Sequence, residues 1–311
     1  MPNAVPVSIA PSRGHTRRFA LSWSRREQLT PFLFLLPCAI ALTVVYFFPI
    51  FEAIKTSFES NDIAPGSSTF VGFSNYTDVT SNKYFYNALA ISAIYTSGNV
   101  ILVWIFGLAG ALLVHGDFAG RWFFRCALIL PWAVPYVATA LIWSWMFNYE
   151  FGVLRYMTAA VAGTAPDFLN RNPYALMSVT GVSVWKAYPL GMVMLLAGLQ
   201  SIPKEQYEAA IVDGAGPVSQ FFHVTLPGLK TVSIFLMLLV GIWSFGRAFT
   251  IVYVLTAGGP ARGTETVVIQ AYHEVFRFFH PGTGAALATI ILAISLLFSA
   301  IYLAILYRSE E

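Results

Sequence analysis

The chain of 311 residues is 57% hydrophobic and only 11% charged, with a mean hydropathy of +0.66. Soluble domains run near a quarter charged, so this composition excludes an ordinary water-soluble fold and indicates a polytopic membrane protein. The length would allow about two soluble domains, but the apolar runs make one membrane domain of it. The net charge of +3 is small, and no cluster of basic and aromatic residues marks a nucleic-acid surface. Cys38 and Cys126 both lie inside apolar runs, which argues against a disulfide, and their spacing is not that of metal ligands.

Residues 1–29 are polar and carry Arg13, Arg17, Arg18, Arg25 and Arg26. The apolar run that follows is too long for a signal peptide, and no small-residue cleavage site ends it. The segment therefore reads as a cytoplasmic tail with Trp23 near the interface, although Arg17-Arg18 shares the look of a twin-arginine signal. Residues 30–311 read as a single six-helix domain. Its six runs, 31–54, 88–114, 123–147, 175–199, 232–255 and 284–306, are each long enough to cross a hydrocarbon core about 30 Å thick. Lys and Arg in the short connections set the orientation. With the N-terminus inside, Arg13, Arg17, Arg18, Arg25, Arg26, Arg121, Arg125, Lys204, Lys230 and Arg308 face the cytoplasm. Lys55, Lys83, Arg155, Arg171, Arg262 and Arg277 then face outward, and the excess inside favours cytoplasmic termini.

The first outer connection, 55–84, reads as turns with a short strand-like piece at 70–76. In the second run Gly107 and Ala111 form a small-xxx-small pair, which lets membrane helices pack backbone to backbone. The third run holds Pro131 and Pro135, whose freed carbonyls neighbours or water must satisfy. The outer connection 148–173 turns at Gly163, Pro166-Asp167 and Asn172-Pro173. In the fourth run, Lys186 falls near mid-span, where an ionisable group faces a cavity or a partner unless it snorkels to an interface; Pro189 predicts a kink. Ser244, Arg247 and Thr250 interrupt the fifth run, making Arg247 a second intramembrane cation. Gly258-Gly259-Pro260 reads as a tight outer turn. An amphipathic stretch follows, running through Thr264-Glu265-Thr266 and Tyr272 to Phe279 along the outer surface.

The polar stretch 201–227, SIPKEQYEAAIVDGAGPVSQFFHVTLP, lies between the fourth and fifth runs and is too long for a plain hairpin. Residues 204–212 are good helix formers with Tyr207, Ala210 and Ile211 on one face. Gly214 suits the left-handed position that ends a helix. A short apolar piece, 218–224, then leads to Pro227, which is placed to open the next membrane helix. The expectation is a helix-turn-helix elbow outside the bilayer. Its pattern, Glu208-Ala209-Ala210, then Asp213-Gly214-Ala215, then Phe222-His223-Val224-Thr225-Leu226-Pro227, resembles the EAA loop of ABC-importer permeases. The full spacing is specific, where a lone EAA would carry nothing. Four further segments resemble the sugar-permease members of that family: Phe70-Val71-Gly72-Phe73-Ser74-Asn75-Tyr76, Gly120 to Arg125, Trp185-Lys186-Ala187-Tyr188-Pro189, and Phe249 to Pro260. In the last of these Thr250 stands where the family commonly has an acid, which removes an inherited polar contact and leaves Arg247 without its expected partner.

The resemblance implies an all-α polytopic membrane protein with the six-transmembrane-helix type I ABC-importer permease fold, similar to the first permease of the maltose-transporter kind. It implies that Tyr207, Glu208, Ala209, Ala210, Asp213, Gly214 and Ala215 form a coupling helix docking into a cytoplasmic ATPase. An amphipathic helix laid in a partner's groove transmits motion through a few apolar anchors. No G-x-x-x-x-G-K-[ST] segment is present. ATP and Mg would therefore be held by two partner ATPase subunits, with no cofactor in this chain. A second permease subunit completing a heterodimer, an extracytoplasmic solute-binding protein and the lipid of a bacterial inner membrane complete the implied partners; nucleic acid is not among them. For a sugar or sugar derivative, the path residues read from the sequence are Trp185, Lys186, Tyr188, Ser244 and Arg247. Trp143 and Trp145 read either as an interfacial belt or as a wall on which a sugar stacks. The two cations favour an anionic sugar, such as a phosphorylated or sulfonated one. A membrane enzyme is the poorer reading, because the five histidines are scattered. An ion-coupled secondary transporter would place acids within the membrane, where this chain has Lys186 and Arg247.

Overall fold

The computed structural model describes residues 25–61, 68–246 and 249–308, and these are mostly helical, with a single isolated β-bridge between Glu59 and Phe70. The chain divides into two compact units, residues 1–51 and 52–311. The first contains α1 (Arg25–Leu42), a π-helical turn (Thr43–Phe47) and the start of α2 (Phe48–Thr56). Arg25 and the residues that follow, at the end of the expected tail, are already helical; the other tail residues, including Arg13, Arg17, Arg18 and Trp23, lie outside the described residues.

In the second unit the elements are α3 (Ser74–Ser81), α4 (Lys83–His115), α5 (Arg121–Ala133), α6 (Tyr136–Met146), α7 (Val153–Ala162) and α8 (Tyr174–Ser201). After them come α9 (Lys204–Val212), α10 (Pro217–Gln220), a π-helical turn (Phe221–Thr225), α11 (Leu226–Gly228), α12 (Lys230–Gly246), α13 (Thr250–Thr256), α14 (Val267–Phe276) and α15 (Pro281–Arg308). Four continuous stretches are long and apolar enough to cross a membrane: Phe34–Thr56, Lys83–His115, Tyr174–Ser201 and Pro281–Tyr302. Two bent pairs bring the number to six, α5 with α6 at 97° and Pro217–Gly228 with α12 at 64°.

Helices α4 and α8 form the centre of the second unit, and α12 packs against both. Their shared core is Val103, Leu108, Ala111 and Val114 of α4, Met192, Leu195 and Leu199 of α8, and Leu236 and Val240 of α12. Between apolar helices in lipid, association rests on close van der Waals contact rather than on exclusion of water. Glycines supply that contact: a Cβ added at Gly107 would lie 2.9 Å from the Gly191 carbonyl carbon, and one at Gly110 would lie 3.1 Å from the Met192 side chain. A second cluster gathers Tyr95, Phe147, Val179, Val182, Ile251 and Leu255.

Several expectations are corrected by tertiary contacts. The strand-like piece at 70–76 is mostly a turn leading into α3. Gly72 turns the chain at φ +61°, and buried Asn75 donates through Nδ2 to the carbonyls of Ser57 (2.9 Å) and Glu59 (2.8 Å). Tyr76 Oη lies 2.6 Å from Ser57 Oγ, so the Asn-Tyr pair of that motif ties α3 to the end of α2. The expected fifth span, 232–255, is not one helix: Phe249 stands outside helical structure, and α13, which starts at Thr250, packs on α6 and α8. Pro227 lies within α11, before the 64° bend, so the membrane helix opens at Lys230 instead. Thr264, Glu265 and Thr266 are buried rather than on the surface. Glu265 meets His273 at 3.2 Å and Arg262 at 3.1 Å, an ion-paired setting that a reading by hydropathy misses. The outer connection 148–173 contains α7, which the turn signals obscured.

Candidate functional site

The third span breaks where its prolines dictate. Pro135 cannot donate to the Pro131 carbonyl, and the residue before a proline is pushed out of helical geometry; Val134 is extended at φ −70°, ψ 129°. The resulting 97° bend would leave several carbonyls bare in an apolar medium. Lys186 of α8 covers them. Its Nζ donates to the carbonyl oxygens of Pro131 (3.2 Å), Trp132 (2.7 Å) and Val134 (2.6 Å), and lies 5.0 Å from the Tyr136 ring centre. Lys186 is only 4% exposed, and no carboxylate among the described residues pairs with it. The ammonium sits where α5 ends, and the C-terminal end of a helix dipole favours a cation.

Beside the bend lies a cavity of about 460 Å³, within the usual range for a small-solute site. Trp132, Tyr136 and Trp243 give it aromatic surface; Asn99, Ser183, Ser244 and Thr250 give it uncharged polar groups. Tyr95 Oη lies 2.6 Å from Ser183 Oγ, and Asn99 Nδ2 donates to the Tyr95 carbonyl at 2.8 Å, which fixes the polar wall contributed by α4 and α8. No carboxylate lies among the described lining residues.

Of the path residues read from the sequence, Lys186 and Ser244 line this cavity. Trp185 and Tyr188 are absent from the lining: the Trp185 ring packs edge-on against Trp143 at 5.5 Å. Arg247 lies outside the described residues. Trp143 is half-buried against Phe147, while Trp145 is 75% exposed; neither lines the cavity. Sequence reasoning passed over Tyr95, Asn99, Trp132 and Tyr136. A signal was available in the i, i+4 spacing of Tyr95 and Asn99 on an apolar helix and in the aromatics beside each proline.

At the other end of α8, the chain passes from Ile202 into the expected elbow. Helix α9 ends at Val212 with Asp213 as its C-cap, Gly214 takes φ +79°, and the Ala215 N–H returns to the Ala210 carbonyl at 2.8 Å, a left-handed C-terminal cap. Tyr207 Oη reaches Thr225 Oγ1 at 3.0 Å, and Tyr207, Phe221, Val224 and Leu226 pack on the α4–α8 core. Ile211, assigned to the same face as Tyr207, points away and is 60% exposed. Val212, Val218 and Phe222 are exposed with it, at 87%, 72% and 57%. Glu208, Ala209, Asp213 and Gly214 are also exposed, Ala210 and Ala215 partly so, and among the described residues neither Glu208 nor Asp213 forms an ion pair. The elbow is thus packed on the helical core through Tyr207, Phe221, Val224 and Leu226, and leaves four apolar side chains and two carboxylates exposed.

Helices apolar and long enough to cross a membrane, arranged around a polar-lined cavity and joined to a packed polar elbow, fit a membrane permease. The match to the family of binding-protein-dependent transport system inner membrane components covers residues 104–309, and the chain belongs to that family. It is 34% identical to the sulfoquinovosyl glycerol transport system permease protein of Agrobacterium fabrum, over 91% of this chain and 92% of that one. It is 31% identical to the trehalose/maltose transport system permease protein of Thermococcus litoralis, over 89% and 94%. The fold is shared with a chain from the crystal structure of a bacterial ABC transporter involved in the import of the acidic polysaccharide alginate, with a TM-score of 0.76 at 18% identity, over 90% of this chain and 97% of that one. The expected type I ABC-importer permease fold is therefore the one observed.

Proposed function

We propose that this chain is one permease of a heterodimeric importer that moves a sugar or sugar derivative into the cytoplasm, driven by ATP bound with Mg in two partner ATPase subunits. The single observation that carries the coupling is the elbow. It is packed on the α4–α8 core through Tyr207, Phe221, Val224 and Leu226 and offers Ile211, Val212, Val218 and Phe222 to a partner. ATPase closure moves the two elbows of the heterodimer together and opens the cavity toward the solute-binding protein, and reopening returns it to the cytoplasm, a rigid-body exchange of access. Aromatic faces and uncharged hydrogen-bonding groups in the cavity suit a saccharide, and the named relatives serve sulfoquinovosyl glycerol and trehalose/maltose systems.

The Lys186 donors are engaged by backbone, so a preference for an anionic sugar rests on Arg247 and the residual field of Lys186. The complex in proteoliposomes tests both levels. Uptake is expected to require ATP and to ignore ion gradients; uptake that follows a gradient without ATP refutes the reading. Comparing ATP hydrolysis stimulated by neutral and by anionic sugars decides the charge class, and stimulation by neutral sugars alone ends the anionic version.

A further inference from the structure

We infer that Lys186 is a positioning residue: its ammonium staples the broken third span by capping the carbonyls of Pro131, Trp132 and Val134, and so holds the aromatic wall of the cavity, Trp132 and Tyr136, in place. A lysine ammonium has three donors and no acceptor, and three carbonyl oxygens lie within 3.2 Å of this one. Those carbonyls belong to the segment whose helical hydrogen bonds Pro135 and the extended Val134 interrupt. Without the ammonium these acceptors would lack a donor from the chain at a depth where a bare carbonyl is unfavourable. Both aromatics that line the cavity from this span are adjacent to the capped carbonyls, Trp132 carrying one itself and Tyr136 following Pro135. The charge is thus directed at the backbone of the bend, where a substrate ligand would need a free donor.

The effect on uptake rests on the reading of the cavity as the solute path, whereas the effect on the bend does not. Spin labels at Phe123→Cys and Trp145→Cys, both exposed positions at the far ends of α5 and α6, report the bend in a chain whose Cys38 and Cys126 are replaced by serine. At a helical rise of about 1.5 Å per residue, backbone sites there lie about 33 Å apart along an unbent span and about 22 Å apart at this angle. In the assembled complex without solute, Lys186→Met is expected to broaden or lengthen that distance, and Lys186→Arg to keep it. Uptake should fall at least tenfold in Lys186→Met for neutral and anionic solutes alike, and recover to at least a third of the unmodified rate in Lys186→Arg. A native distance in Lys186→Met overturns the staple. So does a loss confined to anionic solutes through a raised KM, which would make Lys186 a substrate ligand. Should Lys186→Met fail to accumulate, Lys186→Gln, shorter and uncharged, is expected to broaden the distance, and a narrow native distance there overturns the inference. A complex that imports no sugar while its bend depends on Lys186 would refute the proposed function and support the staple.

Discussion

At Gly107 the backbone of α4 comes so close to Gly191 of α8 that a single methyl group has no room. Overpacking of this kind costs about 1–3 kcal/mol in soluble cores, and here it falls on the central α4–α8 contact among the described helices. Gly107→Val is therefore expected to lower the melting temperature and yield of the purified complex, whereas Gly116→Val, with open space around it, should leave both near normal. Inside the cavity, Ser244→Trp should fill the space beside Trp243 and reduce uptake more than tenfold while the complex still assembles; unimpaired uptake would mean the solute passes elsewhere. The small-xxx-small pair was legible because spacing alone specifies a helix face. The role of Lys186 was not, because its partners are backbone carbonyls more than fifty residues away, and a backbone acceptor has no sequence signature.

The elbow is the element whose outline sequence captured best. A helix over 204–212, its left-handed end at Gly214 and the following apolar helix are all set by local propensity, and they are found as expected. Which apolar residues face inward was harder to read, since Tyr207 and Ile211 share a stripe on a helical wheel and yet part company in the fold, one on the core and one exposed. Gly214→Pro is incompatible with φ +79°, and Glu208→Lys reverses an exposed charge; each is expected to abolish uptake while the protein still inserts. Val212→Asp should do the same by spoiling the exposed apolar patch, read as loss of solute-stimulated ATP hydrolysis with assembly assayed in parallel. Normal uptake in these variants would count against the coupling role. The third and fifth spans show the reverse situation. Prolines freed carbonyls in the third span and polar residues interrupted the fifth, but neither pattern foretold a 97° bend whose opened backbone a neighbouring helix satisfies.

For the whole molecule, the arrangement proposed from Lys and Arg counts puts α7 outside and the elbow inside. Single cysteines at Val161 and Val212, 90% and 87% exposed, provide the check in a chain lacking Cys38 and Cys126. Val161→Cys should react with an impermeant maleimide in intact cells, and Val212→Cys only after permeabilisation. The opposite pattern would remove the elbow from the side where ATP is found.

The sequence by itself determined the membrane class, the elbow and its family pattern, because length, hydropathy and the spacing of turn residues act within one segment. Tertiary structure alone decided how sharply the third span bends, which aromatics surround the cavity, and that buried Lys186 is committed to the carbonyls of a neighbouring helix. Those outcomes depend on groups far apart in the chain, and their energies come from desolvation and close packing that exist only once the helices meet.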